Sequence, residues 1–401
     1  MAGCIALARN IMTEFARNTG LFPAANVPRR YLWTDAFAVC NFLGLHRETG
    51  NKDFMDLALR LVDQVHATLG RHRLDDIRTG PISGLAEEEA GSHPAAGGLR
   101  IGKELSERRS NEPLDEHLEW DRDGQYFHYL TKWMHALNRV TKATGDFTYN
   151  QWAIELARTA HARFAYTPFH GGQKRMYWKM SIDLSYPLVA SMGFHDPLDG
   201  LITYTQLTAT AAEDPEVPVD LKTEIADIAD MCKGRRWVTT DLLGVGGLLS
   251  DAFRVAQLMV SGCFSDSHLL FRLLDDSLAS LEALDGGSLE ESLTGLAANY
   301  RLAFRELGLS IGLRAIEKLS DLIARHEVFD RERTRLKSRI ARLQGYEQLA
   351  KAVESFWLEP EHQGETWMDH QDINMVMLAT SLSPAGYLVL GSLKDSYSDD
   401  L

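Results

Sequence analysis

The sequence predicts an all-α protein of 401 residues, built as a ring or solenoid of stacked helical hairpins. Apolar residues recur at helical spacing along most of the chain. In addition, residues 33–65 match residues 128–160 at a fixed offset of 95 positions. Both stretches contain a helix, a Thr-Gly turn (Thr49-Gly50 and Thr144-Gly145) and a second helix. A helical hairpin that repeats in a chain of this length is typical of a toroid or solenoid.

The predicted helices alternate between two kinds. One kind is rich in Gly, Ala, Met and aromatic residues and covers about 31–48, 124–143, 198–213, 241–261 and 297–319. The other kind is amphipathic and covers about 52–69, 148–165, 218–233, 266–284 and 331–356. A helix that is apolar nearly all round is buried, and one with a charged face lies outside. The alternation predicts a double ring of about six inner and about six outer helices.

The remaining segments complete a predicted single domain over 1–401. Helices are expected at about 5–18, 289–319 and 370–381. Residues 70–122 have little periodicity and many Gly, Pro and charged residues, so they are predicted to form a lid or mouth insertion. Within 167–190, the run KRMYWKMSID predicts a short strand or hairpin. Tyr387 to Leu390 are expected to pack before the final residues fray.

Composition excludes some classes of function. The net charge of −14 argues against nucleic acid as the main partner, because binding to phosphates needs a basic surface. The four cysteines, at positions 4, 40, 232 and 263, form no CxxC pair, which favours a reducing, cytoplasmic setting. Neither a signal peptide nor a membrane-spanning run is recognisable. No metal site or cofactor is predicted, and the oligomeric state is left open.

Polar and aromatic residues cluster just before, or in the first turn of, the predicted inner helices. In a ring these positions surround one mouth of a central cavity, and a Trp close to an acid recurs there four times. Asp before a helix is also a preferred N-cap, so each acid has a structural alternative. The candidates are Trp33, Asp35, Glu119, Trp120, Asp121, Asp123, Gln125, Tyr126, His195, Asp196, Asp199, Asp241, Trp367, Asp369, His370 and Asp372.

The hairpin count and the alternation resemble the (α/α)6 toroid of the six-hairpin glycosidase superfamily over nearly the whole chain. This resemblance implies an all-α toroid with a carbohydrate site in its central cavity. It does not fix the reaction, because related rings include sugar epimerases, polysaccharide lyases and terpenoid and lanthionine cyclases.

The leading functional prediction is a glycoside hydrolase acting on a small or unsaturated sugar. Hydrolysis needs one carboxylic acid to protonate the leaving oxygen and one carboxylate to activate water or attack the sugar. One of the two carboxyl groups is expected at Asp121 or Asp123 and the other among Asp35, Asp196 and Asp369, and which of them is the acid is left open. Trp33, Trp120, Tyr126 and Trp367 are expected to stack on sugar rings. Polar contacts to the substrate are expected from Glu119, Gln125, His195, Asp241, His370 and Asp372.

Arg100, in the Gly-rich stretch AAGGLRIGK, is the candidate for binding an anionic group of the sugar, such as a uronate or phosphate. Two alternatives remain open. A sugar epimerase or isomerase would use paired histidines as acid and base, and His128 and His135 share one face of a helix at i and i+7. A carbohydrate-binding or scaffold protein would keep the ring without the chemistry.

Overall fold

The computed structural model describes residues 2–214, 220–284 and 295–391. The protein is 64% helix and 4% strand, which confirms the all-α prediction. The α-helices up to the middle of the chain are α1 Ala2–Asn18, α2 Leu32–Thr49, α3 Lys52–Leu69, α4 Glu87–Ser92, α5 Glu116–Glu119, α6 Phe127–Thr144, α7 Thr148–Phe164 and α8 Asp196–Ala211.

The later α-helices are α9 Lys222–Cys232, α10 Leu242–Val260, α11 Ser267–Leu284, α12 Ala303–Arg325, α13 Arg333–Gln344, α14 Glu347–Leu358, α15 Glu365–Asp369, α16 Gln371–Leu382 and α17 Ala385–Leu388. Short 3₁₀ helices cover Ala298–Tyr300, Glu327–Phe329 and Pro360–His362. The strands are β1 Gln125–Tyr126, β2 Ala165–Tyr166, β3 Arg175–Met176, β4 Lys179–Met180 and β5 Pro187–Val189.

The described chain divides into two compact units. The first unit consists of Met1–Phe15, Gly44–Asn51 and Gly234–Gly391, and the second of Ala16–Leu43 and Lys52–Lys233. In the second unit, β2 pairs antiparallel with β3, and β4 pairs antiparallel with both β1 and β5. The predicted strand around KRMYWKMSID is therefore confirmed as parts of two very small sheets.

The two Thr-Gly turns have the same local structure. Gly50 and Gly145 adopt φ values of 68° and 82°, the left-handed conformation that glycine reaches without a steric penalty. Thr49 donates its hydroxyl to the Leu45 carbonyl at 2.6 Å, and Thr144 donates to the Val140 carbonyl at 2.9 Å. The sequence match at an offset of 95 residues thus corresponds to a repeated helix C-terminus.

The predicted inner helices are the buried ones. Nearly every residue of α8 is buried, including the acids in its first turn. Helix α10 is long and apolar enough to cross a membrane, but 78% of its apolar stretch is buried inside the protein. Burial of that kind is typical of a core helix, as the alternation of helix types predicted.

Helices α10 and α12 of the first unit touch through glycines. A Cβ atom on Gly246 would lie 1.9 Å from the Gly308 carbonyl oxygen, and one on Gly312 would lie 2.6 Å from the Gly246 Cα. No real Cβ can approach backbone atoms that closely, so one helix would have to move. The small residues therefore set the separation of these two helices.

We expect Gly246→Ala to lower the free energy of unfolding by ~1–3 kcal/mol, the usual effect of overpacking. Gly247→Ala is the matched control, because a Cβ there has no atom within 4 Å and alanine favours a helix. Urea denaturation of both variants measures the difference. Equal stability of the two would show that the helices separate without cost.

Two predicted helices differ from the structure in the first unit. Positions 289–294 of the predicted helix 289–319 lie outside the described residues, and α12 begins only at Ala303. Before it, Arg301 is extended (φ −117°, ψ 148°), and its buried guanidinium donates to Glu306 at 2.6 and 2.9 Å. The predicted helix 331–356 is divided into α13 and α14 at Gly345 and Tyr346. Tyr387 to Leu390 are largely buried, as expected.

Candidate active site

Aromatic residues gather around the N-terminal end of α6 in the second unit. The Tyr126 ring lies 5.3 Å from the His128 ring and 5.1 Å from the Trp178 ring. The hydroxyl groups of Tyr31 and Tyr129 are 2.8 Å apart. Trp120 contacts Trp178 edge-on at 5.0 Å and is 54% exposed. The aromatic cluster is defined as Tyr31, Trp120, Tyr126, His128, Tyr129 and Trp178.

Asp196 joins this cluster from the first turn of α8. Its Oδ1 lies 3.5 Å from Nδ1 of His128, at the outer limit of a hydrogen bond. Asp196 is only 4% exposed, and its Oδ2 has no hydrogen-bond partner among the described residues. An unpartnered buried carboxyl is costly when it is charged, so this position favours the neutral acid.

Burial favours the neutral form of both Asp196 and His128. Burial, reinforced by the charge of Asp199, raises the pKa of Asp196 well above its usual value. Burial lowers the pKa of His128 to about 4. The surroundings therefore favour a carboxylic acid at Asp196 beside a neutral imidazole at His128. A proton donor and a proton acceptor are thus in place together.

Lys132 and Asp199 form an ion pair beside them. The Lys132 ammonium lies 2.9 Å from Oδ1 of Asp199, and both side chains are largely buried. Lys132 lies one turn after His128 on α6, and Asp199 lies one turn after Asp196 on α8. The two helices therefore present a row of four ionisable groups at their N-terminal ends.

The structure separates the two acids that the sequence left as alternatives. Asp121 is exposed, and its charge helps to raise the pKa of Tyr126, although burial is the main cause. Asp123 is fully buried (0% exposed) and is ion-paired with Arg100 and with Arg73. Asp121 therefore has the access that catalysis needs, whereas the surroundings of Asp123 are those of a structural ion pair.

Arg100 is not available to bind an anionic substrate. It is 7% exposed, and its guanidinium donates to Asp123 and to the carbonyls of Arg71 and Thr68 at 2.7 and 2.9 Å. These bonds hold the insertion 70–122 to the end of α3. The predicted binding of an anionic sugar group by Arg100 is wrong, because every nitrogen of the guanidinium group has a partner within the protein.

Three further predicted residues have internal partners. Glu119 accepts from Lys179 at 2.9 Å and from Arg108 at 3.0 Å. Gln125 is completely buried and bonds to backbone atoms of 97, 99 and 182. Asp35 accepts from the Tyr31 backbone N–H at 2.9 Å and pairs with Arg30 at 3.3 Å. These three side chains are therefore engaged in contacts within the protein, which stabilise the structure around the aromatic cluster, and they are not placed to bind a sugar.

Two aromatic candidates have different environments. Trp33 is buried and packs on Phe37 at 4.5 Å, so it belongs to the core. His195 is half-buried at the N-cap position of α8, with its ring 4.9 Å from Phe194. The paired histidines predicted for an epimerase are not brought together, because His135 lies deep in α6 beside Gln206, at 3.0 Å.

Asp241 and Trp367, two candidates in the first unit, make contacts that stabilise the fold. Asp241 caps α10 by accepting from the Gly244 N–H at 3.2 Å, and it also pairs with Arg305 at 2.7 Å. Trp367 is buried and stacks on Trp357 at 5.6 Å. For Asp241 the capping alternative is therefore the observed one.

The acids around His370 do not share a helix face. Asp369 ends α15, His370 is non-helical, and Asp372 lies in the first turn of α16. The exposed His370 ring contacts Phe304 at 5.6 Å. Asp369 and Asp372 are three residues apart, which would place them on one face of a continuous helix, but the helix is broken at His370.

Sequence reasoning missed Lys132, Trp178 and Tyr31 as site residues. Trp178 was visible in KRMYWKMSID, which carried a strand prediction but no functional one. Lys132 and Tyr31 had no distinguishing pattern, because a lysine within a helix and a tyrosine before one are ordinary features.

Comparisons with known proteins were made for both sequence and structure. No protein-family profile and no curated protein matches the sequence. An α-1,6-mannanase of family GH76 from Salegentibacter sp. HEL1_6, solved with α-1,6-mannotetrose, is structurally similar at 12% identity and TM-score 0.51, over 94% of this chain and 99% of that one. A GH76 α-mannanase from Bacteroides thetaiotaomicron matches at 9% identity and TM-score 0.52, over 94% and 96%.

A cellobiose 2-epimerase from Spirochaeta thermophila DSM 6192 matches at 12% identity and TM-score 0.47, over 94% of this chain and 98% of that one. At these identities a likeness shows the fold and nothing more. The two mannanase matches confirm the fold expected from the hairpins: the chain has an (α/α)6 toroid fold.

Proposed function

We propose that this protein is a carbohydrate-active enzyme, a glycoside hydrolase whose acid is Asp196 and whose second carboxylate is Asp121. One observation carries the proposal: a buried carboxyl whose pKa is raised by burial borders an aromatic cluster that also has an exposed carboxylate beside it. Aromatic faces bind the apolar faces of sugar rings. Asp196 donates its proton to the glycosidic oxygen, and Asp121 activates water or attacks the anomeric carbon.

Asp196 suits the role of acid because burial raises its pKa and so favours the protonated form. A carboxyl in a desolvated position keeps its proton where an exposed carboxyl has lost it. The neutral His128 beside it adds no positive charge that would favour loss of this proton, and the Asp196 carboxylate regains a proton from solvent water after the leaving group departs. Trp178 and Trp120 provide the partly exposed ring surfaces on which the sugar stacks.

A sugar epimerase is the second candidate, favoured by the 3.5 Å approach of His128 to Asp196. In that reaction the neutral imidazole removes a proton from carbon, and the carboxylic acid supplies one to oxygen. His128 then acts with a carboxyl instead of the second histidine that the sequence led us to expect.

Incubation with a panel of aryl glycosides, unsaturated uronides and α-1,6-linked manno-oligosaccharides in deuterated water tests the proposal. Hydrolysis releases new reducing ends or the aryl group without carbon-bound deuterium. Epimerisation incorporates deuterium at a sugar carbon and releases no new ends. Binding without either product would replace both reactions with the scaffold alternative.

We further propose that the substrate carries an anionic group, which binds Lys103 rather than Arg100. The Lys103 ammonium lies 5.4 Å from the centre of the Tyr31 ring. Among the described residues it has no carboxylate within ion-pair distance. A partly buried cation without a counterion, placed beside the aromatic cluster, suits a uronate or a phosphate group.

We expect Lys103→Gln to lower kcat/KM for an acidic glycoside about 10-fold or more, because a hydrogen bond to a charged group contributes ~1.5–3 kcal/mol. The neutral analogue should change little. Lys222→Gln, which removes an exposed lysine paired with Asp220, is the control with the same change in charge. An equal loss for both substrates would contradict the assignment.

A further inference from the structure

A cavity of ≈ 300 Å³ lies in the second unit between α3, the start of the insertion 70–122 and α7. No member of the aromatic cluster lines it. Its walls include Asp63 and His66 of α3, Ser83, Glu87 and Gly91 of the insertion, and Trp152 of α7. The volume is at the lower end of the range for ligand sites, about 300–1,000 Å³, and suits a small compound such as one sugar ring.

His66 presents a fixed hydrogen-bond donor to this cavity. The residue is only 9% exposed, and its Nε2 accepts from the Trp133 indole at 3.2 Å. A ring nitrogen that accepts carries no proton, so in the neutral imidazole the proton is on Nδ1. Burial lowers the pKa of His66 to about 3, which keeps the ring neutral in ordinary buffers. Within the described parts of the chain, Nδ1 has no hydrogen-bond partner.

Asp63 presents an acceptor one turn earlier on the same helix. Its carboxylate has neither a cation nor a hydrogen-bond donor as partner among the residues described. The neighbouring charges are already neutralised: Arg71 donates to Glu87 at 2.6 and 2.7 Å, and His93 lies 2.6 Å from Glu155. The cavity therefore has an uncompensated negative group, which disfavours an anionic ligand.

Trp152 adds an apolar surface. Its indole N–H donates to the Ser92 carbonyl at 2.9 Å, so its remaining surface is carbon. The ring also contacts His66 edge-on at 5.3 Å. A donor, an acceptor and an aromatic surface in one small cavity match a ligand whose hydroxyl groups both donate and accept.

We propose that this cavity is a second binding site, for a neutral sugar ring or a similar polyol. One ligand hydroxyl accepts from Nδ1–H of His66, another donates to Asp63, and the ring lies against Trp152. The site is separate from the aromatic cluster, and it does not depend on the reaction proposed there.

Ligand-observed NMR titration of the full chain with glucose, mannose and galactose tests the proposal. We expect at least one of them to bind, with affinity lowered about 10-fold by Asp63→Asn, because a hydrogen bond to a charged group is lost. Gly91→Leu should lower the affinity by obstructing the cavity, since Gly91 lines the cavity and a Cβ on it meets no protein atom within 4 Å. Gly3→Leu is the control, because Gly3 also has open space but does not line the cavity.

Turnover by the Asp63 and Gly91 variants should equal that of the wild type. Binding that survives Gly91→Leu unchanged, or absence of binding by all three hexoses, would overturn the proposal. Binding of glucosamine without binding of any hexose would also overturn it, because the ligand class would then be cationic. If no substrate is turned over but Asp63-dependent binding persists, the proposed reaction fails and the second site remains.

Discussion

Asp196→Asn should lower kcat by about 10²–10⁴-fold, the usual contribution of a general acid. Asparagine preserves the shape of the side chain but has no acidic proton to donate. The same change should leave the protein as stable as the wild type, or more stable, at neutral pH. Removing a group that is costly to ionise relieves the folded state of that cost.

The pH dependence follows from the directions of the two pKa values. The folded-state pKa of Asp196 is raised, so its protonated form and the stability that it contributes are present at low pH. Both are lost as the pH rises through that pKa. His128 becomes neutral above a pKa of about 4, which sets the acid limb of the activity profile. We expect the alkaline limb to disappear in Asp196→Asn.

Steady-state kinetics across the pH range, with thermal unfolding measured in parallel, gives both readouts. Asp220→Asn is the control, because Asp220 is exposed in the same unit and lies outside the aromatic cluster. Unchanged kcat in Asp196→Asn would remove this residue from the mechanism. A large loss of stability would show that the carboxyl is charged in the folded protein.

Asp123→Ala should cost ~3–5 kcal/mol of unfolding free energy, the usual effect of removing one partner of a buried ion pair. The substitution leaves the guanidinium groups of Arg100 and Arg73 without their common carboxylate. It also removes the oxygen that accepts the N–H groups of Gly102 and Gly124, each at 3.0 Å. The insertion 70–122 would lose a principal attachment.

Urea denaturation measures this loss, and Asp75→Asn is a matched control. Asp75 also pairs with Arg73, but its side chain is 57% exposed, so the expected change is at most about 1 kcal/mol. Activity per folded molecule should be nearly preserved in Asp123→Asn at low temperature. A catalytic loss far beyond the loss of folded protein would instead restore Asp123 as a catalytic candidate.

The fold was predictable because its determinants are local. Apolar spacing and the Thr-Gly turns are visible within a few residues, and the buried helices were recognisable from their composition. The start of α12 was not predictable, because it depends on how the Arg301 guanidinium reaches Glu306. Helical spacing before Ala303 gave no sign of that ion pair.

The site was predictable only in part. The candidates Asp121 and Tyr126 lie just before α6, and Asp196 lies in the first turn of α8, which are the kinds of position that the hairpin pattern singled out. Arg100 and Glu119 were misjudged because their partners, Asp123 and Lys179, lie 23 and 60 residues away in the chain. The sequence around a charged loop residue is the same whether that residue faces solvent or pairs with a counterion far away in the chain.

The exposed indole of Trp120 offers a reporter of ligand arrival. Of the eight tryptophans, Trp120 alone has an exposed side chain, so it should dominate the red edge of the intrinsic fluorescence. A compound that stacks on it would shift or quench that emission, and Trp120→Phe would silence the response. Occupancy can therefore be screened optically before any substrate or product is identified.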